Sequence, residues 1–172
     1  MNPSPASVEL VVDAANVVGS RPDGWWRDRA AAATRLVQAL ASLPGTVVAS
    51  PVGDAAGDTA GDAADLRVGR VLAVVEGQAR QIPQVSGVSL VRAAADGDGA
   101  VVTTCRSVLA DGGVPLAVTA DRGLRARLPQ GTVVAGPRWL LAELAALAPP
   151  AGRTPPAPPA TPAPSEPEPD LG

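Results

Sequence analysis

Hydrophobic and polar positions follow two different rhythms along this chain. Short valine-rich runs bounded by Gly, Pro or Asp occur at "VELVV", "RVLAVV", "VSLV", "PLAV" and "TVVA". None alternates strictly, which suits parallel strands covered on both faces. Between them the spacing becomes helical. Ala30, Ala33, Leu36, Val37 and Leu40 form one apolar stripe and predict a helix within Trp25 to Leu43, and Val101, Cys105, Val108 and Leu109 do the same for Asp98 to Ala110. "DRGLRARL" reads as a short helix and "PRWLLAELAAL" as a final one, with Pro137 near its start. A further strand at "TVVAS", from Thr46, is the weakest of these signals. The alternation predicts one α/β domain over residues 1–148, with a mostly parallel central sheet flanked by helices on both faces.

Two stretches depart from this rhythm. Residues 53–65, "GDAAGDTAGDAAD", repeat Gly-Asp without the ligand spacing or terminal Glu of a calcium-binding EF-hand, and are expected to be a solvated flexible loop. Residues 149–172 are Pro-rich, with no apolar surface to pack, and are expected to form an extended or disordered tail. Such a tail is open to contact with a protein partner. A homodimer is equally compatible with the sequence.

Composition narrows the chemistry. The 172 residues include no His, no Tyr and no Lys, and all 14 basic residues are Arg. That removes histidine general acid–base chemistry, Ser-His triads, Schiff-base lysines and the lysine-bearing phosphate loop. The single cysteine, Cys105, excludes an intrachain disulfide and reads as a small core side chain. Carboxylates remain, and a carboxylate-only site at neutral pH points to a hard cation such as Mg²⁺ or Mn²⁺.

The net charge of −3 conceals a division. The tail and the Gly-Asp stretch together hold seven of the 17 acids and one arginine, so the rest carries 10 acids against 13 arginines. That mild basicity suits a phosphate-bearing substrate. No apolar run approaches the roughly 18 residues of a membrane span, and "MNPSPASVEL" lacks a signal peptide's basic and apolar regions. The expected location is the cytoplasm, away from membranes.

In open α/β sheets ligands bind beyond the carboxyl ends of the strands. Four places after apolar runs carry acids: Asp13 with Asn16 in "LVVDAAN", Glu76 in "LAVVEG", Asp96 and Asp98 in "RAAADGDGAVV", and Asp121 after Thr119 in "LAVTADRGL". Each alone reads equally well as a helix cap or turn residue. Together they favour a cation, because uncompensated carboxylates repel.

These motifs, "VVDAANVV", "VVEG", "DGAV" and "VTADRGL", in this order, resemble the PIN-like superfamily and within it the NYN branch of metal-dependent ribonucleases. The resemblance covers roughly Val8 to Leu147 outside the Gly-Asp stretch. It implies that Asp13, Asp98 and Asp121 hold Mg²⁺ or Mn²⁺. It also implies that Glu76, Asn16 and Thr119 support the metal, its water or the substrate phosphate. Gly99 is a departure, standing where the family often carries a second acid. Asp96, two residues before Asp98, is expected to act at most through water.

The pair Trp25 and Trp26 lies among arginines in "GSRPDGWWRDR". Arg21, Arg27, Arg29 and, in "VTADRGL", Arg122 are candidate phosphate contacts. Adjacent positions on a helix point about 100° apart, so one Trp is expected to stack a base and the other to pack the core. The primary expectation is therefore a metal-dependent endoribonuclease. Its competitors are a nucleoside-triphosphate pyrophosphohydrolase using the same acids, and a catalytically weak RNA- or protein-binding module.

Overall fold

The computed structural model describes residues 5–51 and 65–148; the expected flexible loop, apart from Asp65, and the Pro-rich tail lie outside them. The chain runs through β1 (Ala6–Asp13), α1 (Ala14–Gly19), α2 (Arg29–Leu40), β2 (Val47–Val48), β3 (Leu66–Val75), β4 (Val88–Arg92), α3 (Gly97–Ala110), β5 (Pro115–Val118), α4 (Arg122–Arg127), β6 (Val133–Ala135) and α5 (Pro137–Leu147). The sheet is mixed and mostly parallel: β3, β1, β5 and β6 are consecutive parallel neighbours. The outer edge of β3 is shared, with antiparallel β2 on its first residues and parallel β4 on Val71 to Val75.

Strand alternation divides the core in two. Val8, Leu10 and Val12 of β1 pack with Val71, Ala73 and Val75 of β3 and with Leu116 and Val118 of β5 on the face covered by α1, α2 and α5. Val11, Val74 and Ala117 face the other way, towards α3 and α4. Both faces of the central strands are buried, which is why their sequences read as continuous valine runs. Among the described residues no helix is long and apolar enough to cross a membrane.

Three local features differ from expectation. The helix predicted from Trp25 begins at Arg29, because Asp28 accepts a 2.9 Å hydrogen bond from the Ala31 amide and caps it there. Trp25–Arg27 form a separate 3₁₀ turn, so the tryptophans diverge through turn geometry and not along a helix. An additional short helix, α1, follows β1 directly, capped by Asp13. The weak strand signal at Thr46 corresponds to only two residues, Val47–Val48.

Candidate active site

Strand alternation decides where the acids go. Asp13 shares the parity of Val11, Glu76 that of Val74, and Thr119 that of Ala117, so all three belong to the α3/α4 face at the carboxyl ends of β1, β3 and β5. On that face α3 and α4 begin, bringing Asp98 in the first turn of one and Asp121 at the cap of the other. The result is a cleft of about 150 Å³ lined by Asp13, Asn16, Glu76, Asp98 and Asp121, with Ala15, Val74 and Gly97.

Thr119 organises the floor. It is fully buried. Its Oγ1 donates to Asp13 Oδ2 at 3.1 Å and accepts from the Asp121 amide at 3.2 Å. Asp13 Oδ1 accepts from the Asn16 amide at 3.1 Å, and Asn16 Oδ1 accepts from the Ala120 amide at 2.8 Å. Asp121 Oδ1 accepts from the Leu124 amide at 2.7 Å. Asp13 and Asp121 are thus helix caps and cleft residues at once; the structural role fixes the carboxylate that the cleft presents.

Glu76 is fixed differently. Its Oε2 accepts from the Gly97 amide at 3.0 Å, linking the end of β3 to the start of α3. A Cβ on residue 97 would run into that carboxylate, so glycine permits the close approach and any other residue would move Glu76. Burial lifts the Asp13 carboxyl above the usual carboxylate range; hydrogen bonds from Asn16 and Thr119 oppose this, and the charges of Asp98 and Glu76 add to the rise.

The acids share a cleft without closing on one point: among the described residues no three acidic side chains are grouped as a metal-ion site. Asp98 instead lies 3.8 Å from Arg127 Nη1, and Asp96 lies 3.9 Å from Arg127 Nη2. A Cβ on Gly99 would meet the Asp96 carboxylate, so an acid at 99 would first have to displace Asp96.

A second cleft, of about 500 Å³, lies on the α1/α2 side of the same edge. Trp25, Trp26, Arg27 and Arg29 form its rim, and it shares Ala15 and Glu76 with the acidic cleft. Trp25 packs against the core, with the Arg29 guanidinium 5.3 Å from its ring centre. Trp26 stands edge-on to it, ring centres 6.3 Å apart, and is 58% exposed. Arg21 and Arg122, the other arginines expected at the substrate, are exposed and line neither cleft. Trp139 belongs to the fold: its indole N–H donates to the Ala49 carbonyl at 3.0 Å. Burial pushes the Cys105 thiol up to about 11, so it stays protonated and inert at neutral pH.

Sequence reasoning missed Arg127 and the bond between Glu76 and Gly97. The glycine in "ADGDG" was the available signal for the latter; the position of Arg127 depends on how α4 packs.

No family model matches this chain, and no curated protein matches it in sequence. Its fold is similar to that of Rae1 (YacP) from Bacillus subtilis, solved as a crystal structure of a mutant form. The two superpose with a TM-score of 0.55 at 16% identity, over 81% of this chain and 76% of the other. That similarity is one of fold, an α/β domain with a mostly parallel sheet flanked by helices.

Proposed function

We propose that this chain is a metal-dependent endoribonuclease-like hydrolase that cleaves RNA phosphodiesters in the acidic cleft. The observation carrying the proposal is convergence: four carboxylates from four separate connections line one cleft at the carboxyl edge of the sheet. The resemblance of their motifs to PIN-like ribonucleases supports the same reading.

The donor set fits a hard divalent ion. It is made of oxygens only; burial, with a smaller addition from the charges of Asp98 and Glu76, already raises Asp13. Asp13, Asp98 and Asp121 would hold Mg²⁺ or Mn²⁺, with side-chain adjustment at Asp98. Bound there, the cation would lower the pKa of a water ligand and supply hydroxide at neutral pH. The chain's own residues contribute orientation. Thr119 holds the Asp13 carboxylate, Asn16 ties α1 to the start of α4, and Glu76 spans from β3 to α3.

On the other side of the edge, exposed Trp26 offers a face for an unpaired base, while Trp25 backs it. Arg27 and Arg29 are placed to meet phosphates on the same strand. Arg21 and Arg122 serve at most as outer phosphate contacts. The size of this cleft also fits one free nucleotide, which favours the pyrophosphohydrolase as the second reading.

Labelled single-stranded RNA and, separately, nucleoside triphosphates incubated with Mn²⁺, Mg²⁺ or EDTA distinguish these readings. RNA cleavage abolished by EDTA is the expected result. Pyrophosphate release with intact RNA would establish the second reading, and metal-independent RNA binding without turnover would leave only a binding module.

A further inference from the structure

A guanidinium stands beside the acidic cleft, paired with one of its acids. α4 starts at the cleft, where Asp121 caps it, and its last residue, Arg127, returns to the beginning of α3. The three arginines of this helix have different tasks. Arg122 is exposed and outside the cleft, and Arg125 is committed to the fold, its Nε donating to the Thr119 carbonyl at 2.9 Å. Arg127 alone among them meets acids, pairing with Asp96 at 3.9 Å and Asp98 at 3.8 Å.

We propose that Arg127 is an internal counter-cation that a divalent ion must displace from Asp98, so that metal loading and release of this guanidinium are a single exchange. The proposal rests on the acidic cleft being a metal site, and adds to it a competitor that sets the metal's affinity. Three observations carry it. Asp98 lines the cleft with Asp13, Glu76 and Asp121, yet these acids do not close on one point. Asp98 is the one among them that an arginine engages. Both ion pairs are long and about half exposed, 51% at Arg127 and 43% at Asp98, so the contact is weak enough to exchange. Leu124 and Leu128 anchor the helix to the core beneath, so the exchange requires only side-chain motion of Arg127.

A released Arg127 stays within a side chain's reach of the cleft. There it is free to meet a substrate phosphate, for which its planar fork is suited.

The test is a calorimetric titration of the full chain with Mn²⁺, without RNA, comparing wild type with R127Q and R127K. The expected result is Mn²⁺ binding about two- to five-fold tighter in R127Q, the range that half-exposed ion pairs support, and near-wild-type binding in R127K, which keeps the charge. The R127Q advantage should shrink as salt rises, because screening weakens the competitor in wild type. Thermal melting should be unchanged in both variants, since Arg127 is at the surface. If R127Q binds Mn²⁺ equally well or more weakly than wild type, Arg127 is not a competitor, and this proposal fails while the metal site stands. If no form binds Mn²⁺, the metal site itself fails and takes the exchange with it.

Discussion

At the carboxyl edge of the sheet, two clefts are separated by a single step of strand alternation. Asp13, Val74 and Glu76 line the acidic cleft, while Ala14 and Val75, their immediate neighbours, line the aromatic one, and Ala15 and Glu76 border both. The acidic side is held by a hydrogen-bond network centred on buried Thr119. The aromatic side is held by packing, with Trp25 on the core and Trp26 left exposed. One side keeps charges in place and the other exposes an aromatic face. A β-edge with period two sets two chemically different clefts side by side without an extra element.

The strongest way to break this contrast is at Asp121. Asp121→Asn should lower RNA hydrolysis by about a hundredfold or more, while the protein stays folded, because Asn still caps α4. Cleavage assays alongside circular dichroism check both halves. On the aromatic side, Trp25→Ala should cost about 2–3 kcal/mol of stability in denaturant unfolding, towards the lower end for large aromatic truncations since the side chain is only partly buried. Trp26→Ala should change stability by less than about 0.5 kcal/mol and weaken RNA binding by about 1–3 kcal/mol. Equal loss of stability in both, with RNA affinity intact, would make the pair purely structural.

Gly97→Ala sharpens the border between the clefts. Its Cβ would push the exposed Glu76 carboxylate off the Gly97 amide, costing about 0.5–1.5 kcal/mol. Gly99→Ala would meet only the exposed end of Asp96, so its cost should be smaller; melting of the two variants compares them.

The smallest effect concerns pH. A carboxyl whose folded pKa is raised binds more protons folded than unfolded, so Asp13 lowers stability as pH rises from the ordinary carboxylate range through its own raised value. Asp13→Asn should therefore melt higher than wild type at neutral pH without metal, by a degree or two. The gain should disappear once the pH falls below the ordinary carboxylate range. A gain that persists in acid would contradict the assignment to charge.

The strands and the two long helices were legible because burial on both faces writes itself as valine runs and helical stripes. The acids were legible as residues following strands; parity turns Asp13 and Glu76 to one side, and Asp98 and Asp121 arrive there with the starts of α3 and α4. What the pattern concealed is local or distant. α1 is six residues long, too short for a period, and Asp28 sets the start of α2 through one side-chain bond. Arg127 meets Asp98 only because Leu124 and Leu128 seat α4 against the second core, a contact that no spacing within "DRGLRARL" encodes. The Asp96 carboxylate fills the space beside Gly99, a neighbour that "ADGDG" alone does not disclose.

The division of labour between the clefts is tested most directly by single-turnover cleavage of a labelled single-stranded RNA at increasing protein concentration with Mn²⁺, comparing Asp98→Asn with Trp26→Ala. The prediction is a split: Asp98→Asn loses the maximal rate and keeps the half-saturating concentration of an uncleaved competitor RNA, whereas Trp26→Ala keeps the maximal rate and raises the half-saturating concentration. A normal maximal rate in Asp98→Asn, or a lost one in Trp26→Ala, would contradict the assignment of chemistry to the acidic cleft and recognition to the aromatic one.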